Sequence, residues 1–309
     1  MEYKEREGNK FETVRERLFD FDSLVTVNKE FLEVIHKSKK ISMSDIPVLL
    51  VGESGTGKSC LALAIHAHSR QKEGAFIEVN GSDCSLNILE EYIKKASLGT
   101  LVIDNIDHLG AEEQHVLFEA ICNVEERREM RTIATCLNGL GNKVKQGSFR
   151  EDLFAILNQV SLTLPSLFYR KEDIALLIQY YIGEYNIQFQ KHVECMSNVA
   201  LSYLINYEWP GNVSELRSVL KRAVVLAERN ILWLEDIPLK ITLTNESLLN
   251  GDQKDLLSLK YMEKEHITKV LYLAQWNKSK AALFLKISRP RLERKIQEFQ
   301  LKKPPLIHG

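Results

Sequence analysis

One stretch of this chain combines glycines, a lysine and a hydroxyl at a spacing that can hold phosphate: Gly52-Glu53-Ser54-Gly55-Thr56-Gly57-Lys58-Ser59. Glycines take backbone conformations that other residues resist, so consecutive N–H groups can close around phosphate oxygens. The spacing Gly-x-x-x-x-Gly-Lys-Ser places Lys58 to reach β- and γ-phosphates and the Ser59 hydroxyl to ligate Mg²⁺. A second candidate is Asp104, which ends the apolar run Leu101-Val102-Ile103 and would hold Mg²⁺ directly or through water. The chemistry expected is therefore binding of ATP or ADP with Mg²⁺, through Gly52, Glu53, Ser54, Gly55, Thr56, Gly57, Lys58, Ser59 and Asp104.

Such a loop works only between a strand and a helix. Val48-Leu49-Leu50-Val51 precedes it and reads as a buried strand; Cys60-Leu61-Ala62-Leu63-Ala64-Ile65 follows and starts a helix, adding the positive end of its dipole. Residues 21–40 are expected to be helical. Further strands are expected at 74–80, 99–104, 131–135 and 160–164, alternating with helices at 86–96 and 149–157. That alternation predicts a parallel α/β sheet with helices on both faces and the nucleotide at the carboxyl ends of the strands. From Glu172 the pattern turns all-helical, at 174–185, 199–207 and 213–228. Residues 241–255 read as a linker, and 256–273 as a further helix. The expected division is a charged tail (1–18), an α/β nucleotide-binding domain (19–165), an all-α lid (166–238), a linker (239–255) and a small helical domain (256–309).

The 309 residues carry a net charge of −1, but from Asn277 onward nine basic residues face two acidic ones, a local +7. A basic module on an acidic body points to a polyanion partner at that end. No apolar run is long enough to span a bilayer, and Met1–Arg6 is charged with no apolar signal core, so no membrane partner and a cytoplasmic location are expected. The five cysteines form no Cys-x-x-Cys pair and indicate neither a zinc site nor a disulfide framework. No sensory domain is expected before the nucleotide domain.

The order of motifs resembles the AAA+ bacterial enhancer-binding proteins, the NtrC-like regulators that act with sigma-54 RNA polymerase. The matching blocks are Gly52–Lys58, Val79-Asn80, Gly99-Thr100-Leu101, Phe149-Arg150-Glu151-Asp152-Leu153, Glu172-Asp173-Ile174 and Trp209-Pro210-Gly211-Asn212-Val213. The resemblance covers about residues 20 to 303. It implies a P-loop AAA+ sheet, a helical lid and a Fis-type helix-turn-helix. It also implies departures. The family's acid pair, Asp then Glu, is Asp104 then Asn105, so the residue that polarises the attacking water is missing; Asp107 lies nearby, off that position. The sensor asparagine falls at Leu137. Of two arginines that reach a neighbour's nucleotide, Arg150 is present and the second is Ile156. The lid arginine is Ser214. The segment between Asn80 and Leu101 is too short for the GAFTGA loop that grips sigma-54, and no such string occurs.

The run Asn277-Lys278-Ser279-Lys280-Ala281-Ala282 to Ile287-Ser288-Arg289 resembles that family's Fis-type motif. Asn277 is expected to cap its first helix and Ser288 its second, with Leu285 and Ile287 facing a small core and Lys286 at a left-handed turn. Arg289 and Arg291 are expected near base edges, and Lys280, Arg294, Lys295 and Lys302 at phosphates. The helix at 256–273 is expected to pair two such modules. Losing a positioned general base costs ~10²–10⁴ in rate, and losing an arginine finger ~10³–10⁵. The leading expectation is a transcription regulator that binds double-stranded DNA and self-associates, with an ATP-binding body that hydrolyses little and does not activate sigma-54 polymerase directly. Two alternatives stay open: a working enhancer-binding ATPase, and an inactive subunit lending Arg150 to an intact AAA+ relative in a mixed ring. RNA polymerase is a further candidate partner.

Overall fold

The computed structural model describes residues 20–122, 130–238 and 259–301. The charged tail (1–18), the linker (239–255) and the expected phosphate contact Lys302 lie outside them. The described residues divide into two compact units, one within 1–191 and 203–225, the other within 192–202 and 226–309.

In the first unit a five-stranded parallel sheet runs in the order β2-β3-β4-β1-β5, with β1 Val48–Val51, β2 Phe76–Asn80, β3 Thr100–Asp104, β4 Arg131–Cys136 and β5 Ser161–Thr163. Period-two alternation splits each strand between the two faces. Leu49, Leu101, Ile103 and Ala134 join a core on one face, with Leu89, Leu117 and Leu153. Val48, Leu50, Val102 and Ile133 join the other, with Phe31, Leu61 and Ile65. Those helical side chains come from α1 Lys29–Ile41, α2 Lys58–Ala67, α3 Leu86–Lys95 and α4 Ala111–Cys122, with α5 Leu140–Lys145 adding Leu140 to the first face and α6 Glu151–Leu157 supplying Leu153. The sheet is thus the P-loop α/β layer expected, covered on both faces.

The helix expected from residue 21 starts instead at Lys29, after a 3₁₀ turn at Phe21–Ser23. The Asn28 side chain caps α1 by accepting from Phe31 N at 3.0 Å. Asp173 holds the preceding Thr26 and Val27 by hydrogen bonds that a helix would not permit. The Arg131 guanidinium, wholly buried at the head of β4, donates to the carbonyls of Ile41 and Ser42 and so satisfies the end of α1.

Beyond the sheet come α7 Glu172–Phe189, α8 Asn198–Asn206 and α9 Asn212–Leu226. The second unit contains a two-stranded parallel pair, β6 Cys195–Met196 and β7 Ile231–Leu232, with α10 Leu259–Leu273, α11 Lys278–Phe284 and α12 Arg289–Glu298. Ile267, Val270, Leu271, Ala281, Ala282, Leu292 and Phe299 close a small core between the last three helices, and Leu285 and Ile287 pack against it. Among the described residues no helix is long and apolar enough to cross a membrane.

Candidate functional site

The loop at 52–59 leaves β1 and enters α2 with Gly55 at φ +77° and Gly57 at φ +107°, conformations that disfavour a side chain. At Gly55 space is closed as well: a Cβ would stand 2.3 Å from the Gly211 carbonyl oxygen. Gly57 opens on empty space. Three successive loop carbonyls are held from the helical side of the unit. Asn212 Nδ2 donates to Ser54 O at 2.9 Å, Ser214 N to Gly55 O at 3.3 Å, and Arg170 Nη2 to Thr56 O at 2.8 Å. Every peptide here is trans, so each anchored carbonyl turns the following N–H the opposite way. The amides of Gly55, Thr56 and Gly57 are thereby oriented as a group.

Asn212 is the centre of that arrangement. It is fully buried at φ +52°, accepts from Leu167 N at 2.7 Å and donates to Glu53 Oε2 at 3.1 Å as well as to Ser54 O. Asparagine tolerates this left-handed backbone better than most residues. Lys58 is buried, and its Nζ donates to the carbonyls of Gly52 at 2.8 Å and Glu53 at 3.0 Å. Burial lowers its pKa, with Asp104 acting in the opposite direction. Ser59 is exposed at the head of α2, as is Cys60 beside it.

Strand register brings β3 and β4 together at Ile103 and Ala134, so Asp104 lies beside Thr135. Its Oδ1 accepts from the Thr135 hydroxyl and its Oδ2 from Asn105 Nδ2 at 3.1 Å. Asn105 sits at φ +53°. Asp107 is drawn away to α5, its Oδ2 accepting from Lys143 Nζ at 2.9 Å. Leu137 stands half-exposed beyond β4, while Ile156 is half-buried on α6. Arg150 occupies the N-cap position of α6, and its guanidinium makes a paired contact with Asp152 (Nε–Oδ1 3.0 Å, Nη2–Oδ2 2.6 Å) beside the Phe118 ring.

In the second unit Asn277 Oδ1 accepts from the N–H groups of Ser279 and Lys280, capping α11. Ser288 takes the N-cap position of α12, but its hydroxyl makes no cap bond; Pro290 in the first turn removes one donor that would need it. Lys286 adopts φ +52° at the turn. Arg289, Arg291, Arg294 and Lys280 are exposed. Arg289 donates to Glu293 Oε1 at 3.3 Å and to Ser279 Oγ at 3.4 Å. Lys295 differs from its neighbours. It faces inward, with Nζ 2.9 Å from Glu263 on α10 and 3.2 Å from Glu298, and its side chain is only 18% exposed.

Sequence reading missed Thr135, Asn212 and Arg170 as site residues. For Thr135 the only signal was its place one residue from the end of β4. The other two stand in or next to blocks already singled out, Trp209–Val213 and Glu172–Ile174, whose contacts across 158 and 114 residues no local pattern reveals.

Comparison with known proteins agrees along the chain. Residues 29–167 match the model of the Sigma-54 interaction domain, 169–253 the AAA+ ATPase lid domain, and 258–299 the Bacterial regulatory protein, Fis family. Regulatory protein AtoC of Escherichia coli is 32% identical, covering 89% of this chain and 67% of its own length. Transcriptional regulatory protein ZraR of the same organism is 32% identical over 83% of this chain and 64% of its own. The chain thus spans about two thirds of the length of these relatives. NtrX from Brucella abortus, crystallised with ATP, superposes with a TM-score of 0.69 at 24% identity over 96% of this chain and 73% of that one. The RuvB branch migration motor of Thermotoga maritima does so at 0.56 and 14% identity over 91% and 90%; both show the fold. By its family matches and its likeness to AtoC, the chain belongs to the sigma-54 activator-type family of AAA+ transcription regulators with a Fis-type helix-turn-helix.

Proposed function

We propose that this protein binds ATP or ADP at Gly52–Ser59, hydrolyses it little, and reads double-stranded DNA through α12. The observation that carries this reading is Asn105. An amide stands where the family resemblance implies the second acid; it donates to Asp104 and carries no group that can take a proton from an attacking water. At the other three positions Leu137 and Ile156 are apolar and Ser214 is uncharged, so neither an asparagine nor an arginine stands there. Between β2 and β3 the chain is filled by a 3₁₀ turn, Gly81–Asp83, and by α3, which supports the absence of a sigma-54-gripping loop.

Nucleotide binding itself draws on parts that are present: oriented amides, Lys58 and the head of α2. Mg²⁺ suits the donors available. Ser59 Oγ and the Asp104 carboxylate are hard oxygen ligands of the kind this ion takes alongside phosphates. Among the described residues no group of three His, Cys, Asp or Glu is gathered to hold a metal alone, so the ion would arrive with the nucleotide. At the other end, Arg289 and Arg291 are assigned to base edges and Lys280 and Arg294 to phosphates. Lys295 is assigned to holding α12 on α10. The domain division 19–165, 166–238 and 256–309 is part of the same reading.

The test is titration with a fluorescent ATP analogue beside a phosphate-release assay on one sample. Saturable binding, lost in Lys58→Ala, with release near background is the expected result. Release at ordinary ATPase rates would put the enzyme reading first. The mixed-ring reading draws on the Arg150–Asp152 pair at the surface of α6; it requires a stable mixed oligomer whose turnover falls in Arg150→Ala.

A further inference from the structure

We infer that the buried Arg170–Asp173 pair is a positioning unit of the nucleotide site, linking the loop at Thr26–Asn28 to the phosphate loop at Thr56. Both side chains are withdrawn from water, at 2% and 0% exposure, with Nη1 4.0 Å from Asp173 Oδ2. Asp173 is bound on its other side by chain nearly 150 residues distant. It accepts from Thr26 Oγ1 at 2.7 Å, Val27 N at 2.7 Å and Asn28 N at 3.2 Å. Glu172 reinforces this by accepting from Asn28 Nδ2 at 2.7 Å. Arg170 extends the other way, donating to Thr56 O, with its guanidinium 4.6 Å from the Phe31 ring.

A buried ion pair is an expensive way to fasten two elements, since apolar side chains of similar volume do so without the desolvation cost. What the pair adds is direction. The Thr56 carbonyl and the Gly57 N–H share one peptide plane, so the position of Arg170 sets where that amide points. The position of Arg170 is in turn set by Asp173, and Asp173 is satisfied only while Thr26, Val27 and Asn28 keep their places. Val27 and Asn28 also line an open surface depression of about 440 Å³ with Lys29, Glu30, Tyr169 and Glu172. A ligand part seated there meets the same loop that, through two buried side chains, orients a phosphate-binding amide some thirty residues further along.

This rests on the nucleotide-binding reading above, and the test separates the two. Thr26→Val deletes one donor to Asp173 at a half-buried position and spares the pair itself. Two measurements follow on the full chain: affinity for inorganic tripolyphosphate, which has no group to seat in that depression, and amide exchange at Gly57 and Lys58 in ligand-free protein. The expected result is a threefold or greater loss of tripolyphosphate affinity with faster exchange. Arg170→Lys should do the same, and the double variant should be no worse than Arg170→Lys alone, as coupled sites behave. A Thr26→Val protein with unchanged exchange and unchanged tripolyphosphate binding overturns the proposal, even if its ATP affinity falls, because that pattern is a local effect of the loop. If the wild type takes neither ATP nor tripolyphosphate, the nucleotide reading fails, and exchange alone decides the linkage.

Discussion

Asn105 donates from Nδ2 to Oδ2 of Asp104 at 3.1 Å while Thr135 donates to Oδ1, so both oxygens of the acid that ends β3 are engaged by neighbours. The residue after Asp104 is a donor pointed back at the carboxylate, in a left-handed backbone conformation that suits asparagine. Asn105→Glu is expected to raise phosphate release about tenfold from a low background. That is less than the ~10²–10⁴ a well-placed general base can supply, because Leu137 and Ile156 remain and such losses are not additive. The same change should lower stability by ~1 kcal/mol, since glutamate tolerates positive φ less well. Single-turnover kinetics and thermal melts on one preparation check both.

Cys60 provides a direct report on the phosphate loop. It is exposed next to Ser59, although burial of its surroundings pushes the thiol pKa up. Alkylation at mildly alkaline pH should modify Cys60 before the buried Cys84 and Cys136, and ATP should slow it several-fold. Mass spectrometry of the labelled protein, with Lys58→Ala as the control that loses protection, reads the outcome.

For the DNA-reading end, Arg289→Ala or Arg291→Ala should cost ~1–3 kcal/mol of specific binding and relax sequence preference, whereas Lys280→Ala should weaken all sequences alike and reduce the salt slope by about one. Lys295→Ala should leave the salt slope unchanged and instead lower the melting temperature, because its partners are Glu263 and Glu298. Titrations against operator and random DNA at several salt concentrations separate the three behaviours.

Lys286 sits at φ +52° between α11 and α12. A left-handed backbone costs a residue with a side chain ~1–2 kcal/mol, of which glycine returns part in unfolded-chain entropy. Lys286→Gly is therefore expected to stabilise the second unit by about 0.5–1 kcal/mol, visible as a higher urea midpoint.

Stability should also fall at alkaline pH through Cys136. Burial raises its thiol from 9.0 to about 11. The unfolded chain releases this proton earlier than the folded one, so the contribution is complete below pH 9 and is lost as pH rises toward 11. Its size is about 1–3 kcal/mol for a shift of this order. Burial raises Cys60, Cys84, Cys122 and Cys195 in the same direction. The Cys136 share is therefore the difference between urea midpoints of wild type and Cys136→Ala at pH 8, 9 and 10, with the shallower decline expected in the variant.

Local chemistry made much of this protein legible from its residues alone. The phosphate loop, the five strands, the cap at Asn277 and the left-handed turn at Lys286 all depend on residue type and short spacing, where sterics and hydrogen bonding act within a few residues. Tertiary structure decided the rest. Thr135 meets Asp104 only because parallel register aligns β3 with β4. Lys295 turns inward only because Glu263 on α10 is within reach. Asn212, Arg170 and Asp173 act on backbone groups more than a hundred residues away. Contacts of that range are selected by the packing of whole elements, and a linear sequence carries no period or spacing that records them.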